Sequence, residues 1–392
     1  MKKVLIYLRE KDLAPKGGPY AVGYYIKQQL DQRHIEYVDF LSGPLNAKGT
    51  VKKAIPEKIK KITHILSRFQ RYRHAFQGNG ISAIDLNEYD IIHFHQTREM
   101  YEIRKSLENF KGKTILTSHS PVPLAQEIYT EQLTLFEKRF LKKFYSKLDE
   151  IDKYAFQKAD YIQFPCEEAE EPYLKNWSEY ESIKTLRKEH YVYIPTGIPA
   201  ADAKRNRKQV RQELGIAEEE FYISYVGRHN VVKGYNQLKE IGDRLIKENK
   251  QTWVVVAGKE EPLKGLENDH WIEIGWTNDA HSYIKAADVF VLPNLETYFD
   301  IVMLEVLSLG QIVVASRTGG NKYFEKLEGN DGIFLYDSID GACELLKQIS
   351  NMDRTKREML GNKNKELYER EFTDVKFVDR YLAFLDDIGG IV

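Results

Sequence analysis

Twelve short runs of β-branched, aromatic and other apolar residues recur along this chain, separated by longer stretches of helical periodicity. The first six span residues 4–8, 35–40, 91–95, 114–118, 161–164 and 191–194. The second six span 222–226, 252–257, 271–274, 289–292, 312–315 and 332–335. Strands bounded by turns and alternating with helices are βαβ units, which build parallel sheets with helices on both faces. Two sets of six therefore predict an α/β protein with two doubly wound domains. Length agrees, because 392 residues exceed the size at which one core usually stops growing.

The segment "PTGIPAADAKRNRKQVRQELG" separates the two sets and puts a linker near residues 197–210. The expected domains are 1–200 and 201–372. In 373–392, Val378, Tyr381, Leu382 and Leu385 fall at helical spacing, which predicts a last helix able to cross back onto the first domain.

Composition narrows the class. With 42% hydrophobic residues and a mean hydropathy of -0.52, the chain reads as a soluble globular protein. No apolar run reaches the roughly 20 residues of a membrane span, and "MKKVLIYLRE" is too short in its apolar part for a signal peptide. Cys166 and Cys343 are the only cysteines, which fits a reducing cytosol and two buried small hydrophobes. Residues 1–160 carry 28 Lys and Arg against 19 Asp and Glu, whereas the remainder carries 30 against 40. The basic excess concentrates in 52–73, where Lys52, Lys53, Lys58, Lys60, Lys61, Arg68, Arg71 and Arg73 face one acid. Ile59, Ile62, Ile65, Leu66 and Phe69 give that segment an apolar stripe. Two readings stand: an amphipathic helix on an anionic membrane surface, or a helix packed on its own domain with solvated charges.

Ligands of open parallel sheets bind at the carboxyl ends of the strands. There, "SYVGRHNVVKGYNQL" sets Gly227 in a tight turn, Arg228 at the strand's exit and Lys233-Gly234 before the next helix. A guanidinium and an ammonium beside a helix N-terminus can clamp a diphosphate, although the same residues could be plain loop charges. Neither GxGxxG nor a Walker lysine motif occurs. Further on, "NLETYFDIVMLEVLSLGQIVVASRTGG" places Glu296 and Glu305 astride a strand-to-helix turn. Carboxylates are costly to bury without a partner, though a first-turn glutamate is also favoured by the helix dipole alone. His93 and His95, with His119, raise a zinc site as a reading. Alternation puts His93 and His95 on one face of a strand, but no third ligand is spaced nearby, so no metal is expected.

In order, "GRHNVVKG", "VVVAGKE", "IEIGWTND", "AADVFVLPNLETYFDIVMLEVLSLG" and "VVASRTGGN" resemble the nucleotide-sugar half of retaining GT-B glycosyltransferases of the family-4 type. The glycine loop and helix "APKGGPYAVGYYIKQQL", the strand "TILTSHSP" ending in His119, and the segments "ADYIQFPCEEAEEPY" and "YVYIPTGI" resemble that family's first half. The likeness is strong over 222–325 and weak over 41–110.

This resemblance implies a GT-B architecture, two Rossmann-like domains facing across a cleft. It also implies transfer of a hexosyl unit, with retention, from a nucleotide diphosphate sugar, UDP above all. Arg228 and Lys233 would neutralise the leaving diphosphate without a metal or other cofactor. Glu305 would hold the ribose hydroxyls, as a carboxylate accepts two hydrogen bonds from a vicinal diol. The family separates its two glutamates by seven residues, and this chain by eight. Either Glu296 still meets the donor sugar, or Thr297 replaces it with a hydroxyl. The resemblance assigns the diphosphate to the amides of Tyr298, Phe299 and Asp300, and His119 to the reacting sugar. Gly17 and Gly18 would admit phosphates or acceptor, Gly258, Lys259, Trp276 and Thr277 would line the base pocket, Gly227 would join the donor-binding set through its tight turn, and Thr318, Gly319 and Gly320 would let the donor pass closely. Trp276 reads equally as packing. The expected partners are the donor and a glycan, lipid-linked or protein acceptor, with an anionic membrane surface at 52–73 left open and nucleic acid excluded. The expected setting is cytoplasmic cell-surface polysaccharide or glycoconjugate synthesis. The rivals are a nucleotide-sugar epimerase or phosphorylase on the same fold and a non-catalytic partner subunit.

Overall fold

All twelve apolar runs become strands, six in each of two parallel sheets. The computed structural model describes residues 3–8, 13, 15, 18–41, 57–120 and 122–389. The first sheet holds β1 (Val4–Tyr7), β2 (Val38–Leu41), β3 (Ile91–Phe94), β4 (Lys113–Thr117), β5 (Tyr161–Phe164) and β6 (Tyr191–Tyr193), in the order β2-β1-β3-β4-β5-β6. The second holds β7 (Phe221–Val226), β8 (Thr252–Ala257), β9 (Trp271–Gly275), β10 (Val289–Leu292), β11 (Val313–Ser316) and β12 (Ile333–Tyr336), in the order β12-β11-β10-β7-β8-β9. Strand order therefore reverses direction between β1 and β3 and between β7 and β10. These are the switch points at which open sheets leave a crevice.

Burial on both faces explains why the strands read as continuous apolar runs. On β7, Ile223 and Tyr225 share a core with Leu238, Ile241, Leu245, Leu346 and Ile349 of the helices Tyr235–Glu248 and Ile339–Ser350. Tyr222, one residue out of phase, packs instead with Val210, Tyr283 and Ala286. On β8, Val254 and Val256 join the first set and Val255 the second. The period-two pleat thus splits one apolar run between two helical layers.

Each sheet centres its own compact unit. The first unit is Met1–Phe164, Tyr173–Ile194 and Tyr381–Val392; the second is Pro165–Pro172 and Pro195–Arg380. Within the second unit, Ile198 forms an isolated parallel bridge with Thr373, and the Tyr368 hydroxyl donates to the Ile198 carbonyl at 2.7 Å. Gly197 is required here, since a Cβ would stand 2.2 Å from the Thr373 carbonyl oxygen. The next helix, Arg207–Leu214, starts on a capping box between Asn206 and Gln209 and stops at Gly215, whose φ is 72°.

The last helix, Asp374–Ile388, passes from the second unit into the first at Tyr381. The basic segment forms the helix Glu57–Gln77, but its stripe is not uniform. Tyr72 and Ala75 are buried and Phe69 rests 4.6 Å from Phe144, whereas Ile62 and Leu66 are 57% and 52% exposed. Lys52, Lys53 and Gly17 lie outside the described residues. Among the described residues no helix is long and apolar enough to cross a membrane. Cys166 and Cys343 are both buried free thiols, as expected, and burial pushes each thiol's pKa up.

Candidate active site

At the β7/β10 switch point the turns after both strands are tied together by charge. The Lys233 ammonium pairs with the Asp300 carboxylate, which also accepts from Asn294 Nδ2 at 2.8 Å. Lys233's own amide is held by Asn230 Oδ1 at 2.8 Å, and the Leu295 amide donates to the Val232 carbonyl at 2.9 Å. Burial pushes the Asp300 carboxyl up, but Lys233, Asn294 and the Val302 amide outweigh it and hold the group below the usual carboxylate range. The expected clamp lysine thus already has an internal anion. Arg228 differs: its side chain is exposed, with no ion pair or side-chain hydrogen bond to a described residue, while its carbonyl accepts from Tyr225 Oη at 3.0 Å.

Glycines let these turns approach. Gly234 has φ 65°, and a Cβ there would fall 1.6 Å from the Pro293 carbonyl oxygen. Gly258 has φ 150° and would meet the Gly227 carbonyl oxygen at 1.9 Å. Gly227 and Gly258 therefore serve backbone contact between the β7, β8 and β9 turns, reinforced by the Gly227 amide on Ala257 at 3.0 Å and the Gly258 amide on Gly275 at 2.9 Å. Lys259 pairs with Glu261 in the open at 2.6 Å. Thr277 Oγ1 accepts from the Asp279 amide at 3.1 Å, a turn-stabilising role. Trp276 is 78% exposed, which removes the packing reading.

Across the turn between β10 and the helix Ile301–Ser308, Glu296 is half-buried, whereas Thr297, Tyr298 and Phe299 are buried. The glycine turn after β11 lies over them. A Cβ at Gly319 would meet the Thr297 carbonyl oxygen at 2.0 Å, and one at Gly320 the Tyr298 carbonyl oxygen at 2.1 Å. Thr318 Oγ1 donates to the Leu295 carbonyl at 3.1 Å. The two glycines are thus explained by a protein backbone rather than by a passing donor. The Gly319 amide donates to Glu171 Oε2 at 3.1 Å, and Lys322 pairs with the same oxygen at 2.5 Å. Glu305 sits in the second turn of its helix, not at the start, because the N-cap is Asp300. It lies 3.6 Å from His281 Nε2, and this carboxylate, working against burial, raises the His281 pKa.

In the first unit, Gly18 opens the helix Gly18–Gln32, as the sequence implied. His119 is half-buried just beyond β4, and its Nε2 lies 2.8 Å from His95 Nδ1, the rings stacked at 5.1 Å. His95 in turn lies 4.3 Å, ring to ring, from His93, which bonds Thr117 Oγ1 at 2.8 Å and Tyr381 Oη at 2.9 Å. His95 and His119 hydrogen-bond each other, while His93 packs its ring beside His95 and hydrogen-bonds Thr117 and Tyr381. Burial pushes all three pKa values down, that of His95 to about 4, with the neighbouring rings adding to the shift at His93 and His119.

Three residues near the second unit's strand ends had no signal that sequence reasoning used. Asn294 is 1% exposed, and its Oδ1 has no partner among the described residues. His281 became visible only when the helix Ala280–Ala286 brought it to Glu305. His229, fully buried, stacks on Tyr235 at 3.9 Å and approaches Glu273 at 3.7 Å. It sits inside the quoted "GRHN", where attention went to the arginine. A cavity of about 400 Å³ lined by Arg207, Lys285, Asp288, Arg354 and Arg357 lies at the opposite, amino-terminal edge of this sheet. Its cations are committed to Asp288, Glu218, Glu358 and backbone carbonyls, so it is not the candidate site.

Two parallel doubly wound units with charged strand-end turns define a GT-B protein. Residues 206–367, within the second unit, match the family described as Glycosyl transferases group 1. A UDP-Gal:alpha-D-GlcNAc-diphosphoundecaprenol alpha-1,3-galactosyltransferase of Escherichia coli is 26% identical over 149 residues, 35% of this chain and 38% of that protein. A trehalose synthase of Pyrococcus horikoshii is 21% identical over 337 residues, 78% of this chain and 71% of that protein. Among solved structures, the Anabaena protein HepE in complex with UDP superposes with a TM-score of 0.62 at 14% identity, covering 98% of this chain and all of that one, which shows the shared fold.

Proposed function

We propose that the protein is a retaining glycosyltransferase that moves a hexosyl unit from a UDP-linked sugar to a glycan, lipid-linked or protein acceptor in cell-surface glycoconjugate synthesis. The observation that carries this reading is the β7/β10 turn pair. It carries the Arg228 guanidinium, exposed and without an ion pair to a described residue, and Lys233, which pairs with Asp300, itself held by Asn294. A departing diphosphate gains negative charge, and preorganised cations stabilise that charge in the transition state more than in the ground state. Such a pair can do the work that a divalent ion does elsewhere, so no metal is needed in this reading. Glu305 would exchange His281 for the ribose diol. Glu296, less buried than Thr297, would meet the sugar, and the resemblance gives His119 to the reacting centre. The UDP-linked donor is supported by the Escherichia coli relative, named for UDP-Gal, and by HepE, solved with UDP.

One observation keeps a second reading in view. Eight residues, not the family's seven, separate Glu296 from Glu305, which suits a partner subunit that has lost turnover. A single experiment addresses both. Thermal shift with UDP, GDP and ADP, then turnover of the matching nucleotide sugars in EDTA, is expected to show UDP binding and chelator-resistant donor consumption. Activity lost to EDTA and restored by Mg²⁺ or Mn²⁺ removes the arginine–lysine assignment. Binding with no donor hydrolysis or transfer leaves the partner subunit.

A further inference from the structure

Three of the first unit's exposed large apolar side chains adjoin on one short helix that opens a basic segment. In the helix Leu135–Phe140, Leu135 is 87% exposed, Phe136 56% and Phe140 64%, and the two phenyl rings lie 5.0 Å apart. Scattered surface apolar residues need no explanation, but an adjoining group of this kind does. Residues 135–147 also carry five basic side chains, Lys138, Arg139, Lys142, Lys143 and Lys147, against one acid, Glu137. That acid does not offset them at the surface. Glu137 is fully buried, completes the capping box with Thr134, accepts from Tyr145 Oη at 3.0 Å and pairs with Arg68 at 3.1 Å.

The Arg68 pair also fastens this segment to the basic helix Glu57–Gln77. Arg68 donates in addition to the Gln132 carbonyl, while Phe69 packs on Phe144 and Tyr72 on Tyr145. Packing therefore takes up Phe69 at the end of the stripe that the sequence offered to a membrane, while Ile62 and Leu66 stay exposed. The bare aromatics stand instead on a neighbouring helix with cations around them.

We propose that the helix Leu135–Phe140 and the lysines after it dock on an anionic lipid bilayer, with Leu135, Phe136 and Phe140 inserted and Lys142, Lys143 and Lys147 at the headgroups. Apolar and aromatic side chains flanked by lysine and arginine are the make-up of interfacial helices. Protein interfaces, by contrast, are depleted in lysine. The proposal rests on the transferase reading in one respect: an acceptor carried on lipid gives such a surface its use.

The full chain is sedimented with vesicles of phosphatidylcholine alone and of phosphatidylcholine mixed with phosphatidylglycerol. Binding is expected to the mixed vesicles only, and added salt should weaken it. Phe136→Ser with Phe140→Ser should lower the vesicle affinity about tenfold or more. Lys142→Glu with Lys143→Glu should lower it by more than about tenfold. Both pairs should keep the wild-type unfolding midpoint and UDP affinity. Should the serine pair fail to fold, the exposed lysine pair decides. No wild-type binding, equal binding to both vesicles, unchanged binding in the variants, or self-association without vesicle binding each overturns the proposal. Vesicle binding by a chain that does not bind UDP would instead overturn the transferase reading and leave the docking surface standing.

Discussion

The two units carry opposite kinds of polar chemistry at the carboxyl ends of their strands. In the first, His95 and His119 stack and hydrogen-bond each other, and His93 packs beside His95 while hydrogen-bonding Thr117 and Tyr381. Burial keeps them neutral by lowering their pKa values. In the second, Lys233 pairs with Asp300 between two strand-end turns, and His281 with Glu305 between two helices. A neutral stack orients a side chain. An ion pair at a strand exit can trade one anion for another, which suits a ligand that brings phosphate and hydroxyl groups. The difference shows where each unit is set and where it is exchangeable.

The largest expected effect is an unequal response to acid. His95 titrates near 4 in the folded chain, against an ordinary value of 6.5. The unfolded chain therefore binds more protons in that window, and stability falls as pH drops through it, by roughly 3 kcal/mol from His95 alone. His281 has the other sign: its raised pKa contributes stability that is present below the ordinary value and lost as pH rises through the shifted one. His229 is shifted downward by burial, so its effect and that of His281 partly cancel within the second unit. Amide exchange in β3 and β4 should accelerate toward pH 4 more than in β7 and β10, after correction for intrinsic rates, and His95→Gln should flatten the acid slope. Equal acceleration in both sheets would mean that the stack is not held neutral.

The next effect is smaller and belongs to the second unit. Lys233→Ala leaves the Asp300 carboxylate, only 12% exposed, with Asn294 and a backbone amide as its remaining support. Breaking a fully buried pair costs about 3–5 kcal/mol; Lys233 itself is 30% exposed, which brings the expected loss to about 2 kcal/mol. Removing both partners should cost less than removing Lys233 alone, since no uncompensated charge remains. Urea titration of the two single variants and the double variant measures this coupling. Additive losses would show that the pair does not hold the two turns together.

How much of this was legible in the sequence follows the same division. All twelve strands could be read, because burial on both faces leaves each as an apolar run bounded by turns. The positions of Arg228, Lys233 and Glu296 in strand-exit turns of the second unit could be read as well, since short turns keep motif and structure in step, whereas Glu305 lies a turn deeper in its helix than expected. Partners brought from a distance could not. Asp300 was expected to offer its amide to a phosphate, yet its side chain is what Lys233 meets. Glu171 reaches Gly319 from before the linker, 148 positions away, and no local pattern announces that. The Glu305–His281 pair depends on how two helices lie against each other. The glycines after β11 looked like ligand contacts because sequence shows that a position is small without showing what approaches it. Pairings between elements are decided by tertiary packing, and a single sequence exposes only the local half of each.

The smallest expected change in stability is the most telling about function. Arg228 is exposed, donates to no described residue and pairs with none, so Arg228→Ala should leave the urea midpoint within about 0.5 kcal/mol of wild type. If its guanidinium meets a diphosphate, the same substitution removes a charge-assisted hydrogen bond worth about 1.5–3 kcal/mol, and UDP affinity falls roughly 10- to 150-fold. Lys233→Ala cannot separate binding from folding in this way, because its carboxylate partner is internal. Calorimetric titration of UDP against uridine makes the test specific: Arg228→Ala should weaken UDP and leave uridine, which lacks the diphosphate, unaffected. Equal loss for both ligands would place Arg228 on the nucleoside. Unchanged affinity for both would make it a plain loop charge and leave Lys233, held by Asp300, as the cation that must meet the leaving group.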